Sequence, residues 1–284
     1  APAAFSLMGD IVEKNFLMTA SSFNMIFWNT ARISGGIVAG YLLTKIGVRY
    51  SFYIEAGLIF CSFLGILKIK SISVVKEKKN GETIWQRIGE GIKFVTQEKI
   101  IFAAISLDLL IVLFGDAISV LPIYVKDILQ MGPEALGWLR SSSAVGAVVM
   151  GLLLSFLPQM KSLGKILIIA VTIFALSMMG LALSTSLYPA MIFLFISGAM
   201  DSISVVIRHT IVQVSTPDNM RGRVASVNSV FISSSNEIGA AWSGLMASLF
   251  GLVPSILFGG AATLCIVLLY LFKAKKLRSF EHSL

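Results

Sequence analysis

The sequence predicts an all-α integral membrane protein, and three observations carry that expectation. At 56% hydrophobic and 13% charged residues, the chain is too apolar for a soluble globule, where about a quarter of residues are charged. Apolar stretches recur at about 16–44, 50–67, 100–125, 135–158, 164–184, 188–214, 224–250 and 252–272, each near the roughly 20 residues that a transmembrane helix needs. Basic residues also segregate by side. Counting spans, one side takes Lys68, Lys70, Lys76, Lys78, Lys79, Arg87, Lys93 and Lys99, then Lys161, Lys165, Arg221, Arg223, Lys273, Lys275, Lys276 and Arg278. The other side has Lys45, Arg49, Lys126 and Arg140, offset by Asp127 and Glu134, and its 184–188 and 251–254 loops carry no charge. The asymmetry puts the long connector and the C-terminus in the cytoplasm. It also explains the net charge of +8 as topology, so no nucleic-acid partner is expected.

Taken in order, the first two spans are separated by a short turn at Gly47. Residues 71–98 form the one extended polar connector. Its first part, from Val75 to Gly81, is a charged loop. Its second part places Ile84, Ile88, Ile92 and Val95 on one helical face, with Arg87, Glu90, Lys93 and Gln97 elsewhere. That spacing predicts a helix lying on the inner membrane surface, a partner-binding helix being the other reading. The 100–125 span carries Asp108 and Asp116, and the 188–214 span carries Asp201, Ser204 and Arg208. Between 188–214 and 224–250, Thr216-Pro217-Asp218 has helix-starting chemistry: a capping hydroxyl, a first-turn proline and an acid at the positive dipole end. The spans 166–183 and 252–272 hold no charged residue and are expected at the periphery, facing lipid.

Residues 22–67 and 226–271 align without a gap at an offset of 204, with Ser22/Ser226, Asn24/Asn228, Gly35/Gly239, Gly40/Gly244 and Cys61/Cys265 among ten identities. Repeated Asn, Cys and Gly in register exceed shared greasiness, and a duplicated membrane unit is the mark of a transporter built from two related halves. The offset also predicts that about one hundred residues, some three helices and part of a fourth, precede Ala1 in the complete unit. The two cysteines sit at equivalent apolar positions, which argues against a disulfide or a zinc site. Neither His209 nor His282 has metal-ligand spacing around it. No cofactor is expected, and an enzyme is not, because no nucleophile–base pattern such as G-x-S-x-G is present.

A charged side chain at mid-membrane costs about 2.5–3.5 kcal/mol on insertion scales, so Asp108, Asp116, Asp201, Arg208 and Glu237 must face protein or a water-filled cavity. Asp201 and Arg208, seven residues apart, share one stripe with Ser204. They read either as an ion pair fixing helix packing or as a cavity wall. Asp108 and Asp116, eight apart, lie about 80° apart around the axis and both can open onto one cavity. Neither has a basic residue on its own span, which favours a role in taking up and releasing protons. Asn228 and Asn236 belong to the same expected interior, and Arg32 is the repeat equivalent of Asn236. Gly35, Gly36 and Gly40 are small enough to admit another helix backbone.

These residues suggest a family. The run Thr216-Pro217-Asp218-Asn219-Met220-Arg221-Gly222-Arg223-Val224, with Asn228 and Ser235-Asn236-Glu237-Ile238-Gly239, resembles exporters of the major facilitator superfamily, in the branch of macrolide-type and siderophore exporters. Gly89-Glu90-Gly91-Ile92-Lys93-Phe94-Val95 is similar to that branch's connector before its seventh helix. Leu107-Asp108-Leu109, Phe114-Gly115-Asp116-Ala117 and Leu121-Pro122 are similar to the seventh helix itself. The 32–40 stretch resembles the antiporter motif of the fifth helix, with Gly35-Gly36 where that motif reads Gly-Pro. The resemblance implies a major facilitator fold with a partial first six-helix half and a complete second one. Residues 1–70 would hold the end of helix 4 with helices 5 and 6, residues 71–98 the cytoplasmic connector, and residues 99–284 helices 7–12. It further implies a proton-coupled exporter of a small amphipathic molecule in the bacterial inner membrane. Its partners would be that substrate, protons and the lipid bilayer, and a monomer is expected. The alternative is a non-functional or sensor-type truncated relic. Arg221 and Arg223 would belong to a cytoplasmic gate loop.

Overall fold

Every apolar stretch becomes a helix in the computed structural model, which describes residues 17–67, 84–115, 117–156, 162–217 and 220–273. Helix α1 spans Leu17–Lys45 and α2 spans Gly47–Leu67, with Gly47 taking the left-handed φ of +79° that the turn between them requires. Then come α3 (Ile84–Gln97), α4 (Lys99–Gly115), α5 (Pro133–Phe156), α6 (Leu163–Leu183), α7 (Leu187–Val214), α8 (Arg221–Phe250) and α9 (Leu252–Lys273). Among the described residues, five helices are long and apolar enough to cross a membrane: Lys99–Ile128, Pro133–Leu154, Leu163–Leu183, Leu187–Val212 and Leu252–Phe272.

The 100–125 span is not one continuous α-helix. Regular α4 stops at Gly115, and a 3-10 turn at Ile118–Val120 and a π-turn at Tyr124–Ile128 carry the chain onward. Pro122 lies in this passage and has no N–H to continue an α-helical ladder. Tyr124 anchors the end of the passage, its buried hydroxyl donating to the Ser184 carbonyl at 2.7 Å. The start of α8 also differs from expectation. Thr216 does not cap it; its hydroxyl donates back to the Val212 carbonyl, and α8 begins only after Met220, with no side-chain cap.

One large apolar core joins α4, α5, α6, α7 and α9 through residues such as Leu107, Leu139, Leu167, Met178, Leu194 and Ile211. Contrary to expectation, α6 is not peripheral: 56% of its span is buried, the largest share of the five, against 33% for α9. The absence of charge over 166–183 goes with burial against apolar neighbours on one face, while Ile169 and Leu176 are exposed on another. The two environments leave the same sequence signature.

A second, smaller core lies where α3 meets the ends of α4, α7 and α8, built from Val95, Ile101, Ile105, Val212, Val224 and Val227. The amphipathic helix is present, and Val95 of the stripe the spacing suggested is packed against the protein. Ile92 is exposed while Gly91 and Val95 are buried; the side chains of Ile84 and Ile88 lie outside the described residues. At Gly91 a Cβ would sit 3.1 Å from the Arg223 carbonyl and 2.8 Å from Val227, so the absence of a side chain sets how closely α3 rests on α8. Gly91→Leu should cost about 1–3 kcal/mol by overpacking. Amide exchange should then accelerate across 84–97 while α5 and α7 stay protected. Uniform exchange in both regions would show that α3 does not depend on this contact.

Candidate functional site

Helical spacing turns two opposite charges inward from different helices. On α4, Ile101, Ala104, Ile105, Asp108 and Ile111 are buried. On α7, Ser204, Ile207, Arg208 and Ile211 are buried. Both sets follow the three- and four-residue steps of a single helix face, so Asp108 and Arg208 are carried into the contact between α4 and α7. Arg208 Nη1 donates to Asp108 Oδ1 in an ion pair, the residues being 5% and 8% exposed. This corrects the expectation that Asp108 has no local counter-charge. The partner comes from a helix one hundred residues later, which spacing within one span cannot reveal. Arg208 Nε has no acceptor among the described residues.

Asp108 of the pair lines a cavity of about 120 Å³ whose polar lining also includes Ser143, Ser197, Asp201, Ser204 and Asn236, with Val171 and Phe174 of α6 among the apolar walls. Asp201 is exposed at this lining, and Arg208, with which it shares a stripe, pairs with Asp108. The expected convergence is therefore partial. Asn228 is buried but lines a different cavity, between α7 and α8. Glu237 is exposed and is not among the residues lining either cavity. Asp116 lies outside the described residues, as do the side chains of Arg32 and Arg221.

The glycines of α1 divide by position. A Cβ on Gly36 would lie 2.9 Å from Ser141 Oγ, and one on Gly40 would lie 2.9 Å from the Pro133 carbonyl, whereas Gly35 faces open space. Ser141 donates to the Ile33 carbonyl at 2.8 Å, so α1 and α5 meet backbone to backbone along one seam. Arg223, at the start of α8, is paired with Glu90 of α3. Among the described residues, no group of three or more His, Cys, Asp or Glu side chains is placed to hold a metal, and Cys61 and Cys265 are both free and exposed.

A family model for transmembrane secretion effectors matches residues 1–283. The chain belongs to this family, within the major facilitator superfamily. It is 24% identical over 274 residues to the enterobactin exporter EntS of Salmonella choleraesuis (strain SC-B67), covering 96% of this chain and 65% of the exporter. Against EntS of Escherichia coli O1:K1 / APEC it is 23% identical over 280 residues, with the same coverage. The chain thus spans just under two thirds of the length of these curated relatives. A bacterial homologue of the human lysosomal transporter Spinster, solved inward-facing and unoccupied, superposes with a TM-score of 0.63 at 13% identity over 98% of this chain and 73% of that one. At that identity the likeness shows the major facilitator fold alone. This secretion-effector family member is a multi-pass membrane protein.

Two features of the family member escaped sequence reasoning. Phe114 and Trp242 form an edge-to-face pair at 5.7 Å, tying α4 to α8. His209, which has no metal-ligand spacing, lines the α7–α8 cavity with Asn228. Aromatic and histidine positions on separate spans carry no signal until the helices are assembled.

Proposed function

We propose that the chain is part of a proton-driven exporter that carries a small amphipathic molecule across the bacterial inner membrane. In this reading α1 and α2 belong to the first half, within residues 1–70. Residues 71–98 form the connector and residues 99–284 the second half, with connector and C-terminus in the cytoplasm. The halves rock about a midplane cavity. The observation that carries the reading is the Asp108–Arg208 pair buried beside the cavity that holds Asp201, Ser204 and Asn236. A proton added to Asp108 removes its charge and leaves the guanidinium uncompensated in a low-dielectric setting, which is costly. A state that hydrates Arg208, or gives it another acceptor, is then favoured. A proton gradient can bias alternating states through such a difference. The enterobactin exporters among the relatives support a siderophore- or drug-like substrate.

The test is efflux from reconstituted vesicles under an imposed pH gradient, with enterobactin and a lipophilic cationic dye as alternative cargoes. Because neutralising one partner strands the other, the informative variant is Asp108→Asn/Arg208→Gln, with folding checked by thermal unfolding. Efflux should lose its dependence on the gradient, falling by about tenfold or more, as when a barrier rises by about 1.4 kcal/mol. A folded double variant that keeps full gradient dependence would remove this pair from the coupling. Asp116 and Glu237 would then be the next acids to neutralise. Absence of efflux for both cargoes in the unaltered protein would favour the sensor-type reading.

A further inference from the structure

The cavity between α7 and α8 is distinct from the one beside Asp108, and nothing in the transport reading uses it. Its volume is about 480 Å³, within the roughly 300–1,000 Å³ typical of small-molecule sites. Val212, Val214, Val224 and Ala225 give it apolar walls, and His209, Thr216, Asn228 and Ser229 supply polar groups. Among the described residues that line it there is no carboxylate, ammonium or guanidinium.

Asn228 makes this more than a gap between helices. The residue is 6% exposed, and its Oδ1 is buried without a hydrogen-bond donor among the described residues. A buried acceptor left unpaired destabilises the fold, so such groups ordinarily find a donor. The last side-chain torsion of asparagine is broad and roughly two-fold, so the carboxamide can turn to meet a donor arriving in the cavity without leaving its χ1 well. Asn228 is also the position that recurs as Asn24 in the internal repeat.

We propose that the α7–α8 cavity is a second binding site, taking a small uncharged molecule with an apolar body and at least one hydroxyl or N–H group that donates to Asn228 Oδ1. Charged ligands are disfavoured because no opposite charge is among the described residues of the walls. The apolar body fits the valine surfaces, and the donor fixes orientation. The proposal does not depend on proton-driven export, because the site lies off the Asp108 cavity.

The experiment compares 1-naphthol with 1-methoxynaphthalene, which differ in the donor and little in the apolar body. Equilibrium dialysis of the purified chain in detergent, corrected for empty micelles, should show 1-naphthol bound about tenfold more tightly, a typical result of one well-made hydrogen bond. Asn228→Leu should bring the two within about twofold of each other, since the donor then meets no acceptor. Ala225→Phe leaves the carboxamide in place and narrows the cavity; it should weaken binding of both. Thermal unfolding of each variant establishes that it is folded. Equal binding of the two compounds to the unaltered protein would overturn the proposal. A naphthol preference that survives Asn228→Leu, or binding of both compounds that Ala225→Phe leaves unchanged, would overturn it as well.

Discussion

Arg208→Leu lowers the unfolding temperature far more than Asp108→Leu/Arg208→Leu does. With Asp108 and Arg208 both more than nine-tenths buried, losing the guanidinium leaves a carboxylate with no counter-charge in the α4–α7 contact. Breaking a buried pair from one side costs about 3–5 kcal/mol, whereas replacing both partners with apolar groups is often neutral or stabilising. Asp108→Leu alone should be as damaging as Arg208→Leu, since it strands a guanidinium whose Nε already has no acceptor among the described residues. Thermal unfolding of the purified chain in one detergent reads all three variants. Single variants no worse than the double variant would mean that water or another side chain compensates the survivor, and that the pair does not fix α4 against α7.

Gly146→Val and Gly198→Val should each prevent accumulation of folded protein. These glycines mark the crossing of α5 and α7 from both sides. A Cβ on Gly146 would run into the Phe195 carbonyl, and one on Gly198 would run into the Ser143 carbonyl. A side-chain obstacle can swing away, but a helix carbonyl cannot, so the helices would have to part. Parting them opens the core around Leu139, Leu194 and Ile211. The expected cost is about 3 kcal/mol or more, at the upper end of overpacking effects. Gly151→Ala on α5 is the control, because its new Cβ would make only an ordinary contact, 3.6 Å from Ser202 Oγ. It should be neutral, or stabilising by up to about 1 kcal/mol from the better helix propensity of alanine. Equal tolerance of Gly146→Val and Gly151→Ala would show that the helices cross elsewhere.

Much of the fold was legible in the chain. The stretches at 16–44, 50–67 and 252–272 became Leu17–Lys45, Gly47–Leu67 and Leu252–Lys273, and the amphipathic pattern at 84–97 became a helix. The misreadings were local choices between two plausible partners. Thr216 had a forward amide to cap and a backward carbonyl to bond, and it took the Val212 carbonyl. Gly91 joins Val95 on the packed face of α3, because its missing side chain lets the helix rest on the α8 backbone. The apolar 166–183 stretch carries no mark that separates helix-facing burial from lipid-facing exposure.

The candidate site was legible only as a set of suspects. Asp108 and Arg208 stood out because ionised side chains are costly in an apolar span, and that cost can be read from one helix at a time. Their pairing could not be, nor could the separation of Asn228 from Asn236 into different cavities. The sequence by itself determined that this is a helical membrane protein, where its spans run and which residues must avoid lipid, since a bilayer interior forces backbone polar groups into helices and expels unpaired charge. Only the tertiary structure decided which charge neutralises which and which asparagine meets which cavity. Those outcomes depend on the rotation and neighbours of each helix, and contacts across helices are set by packing between segments a hundred residues or more apart, where no local period records them.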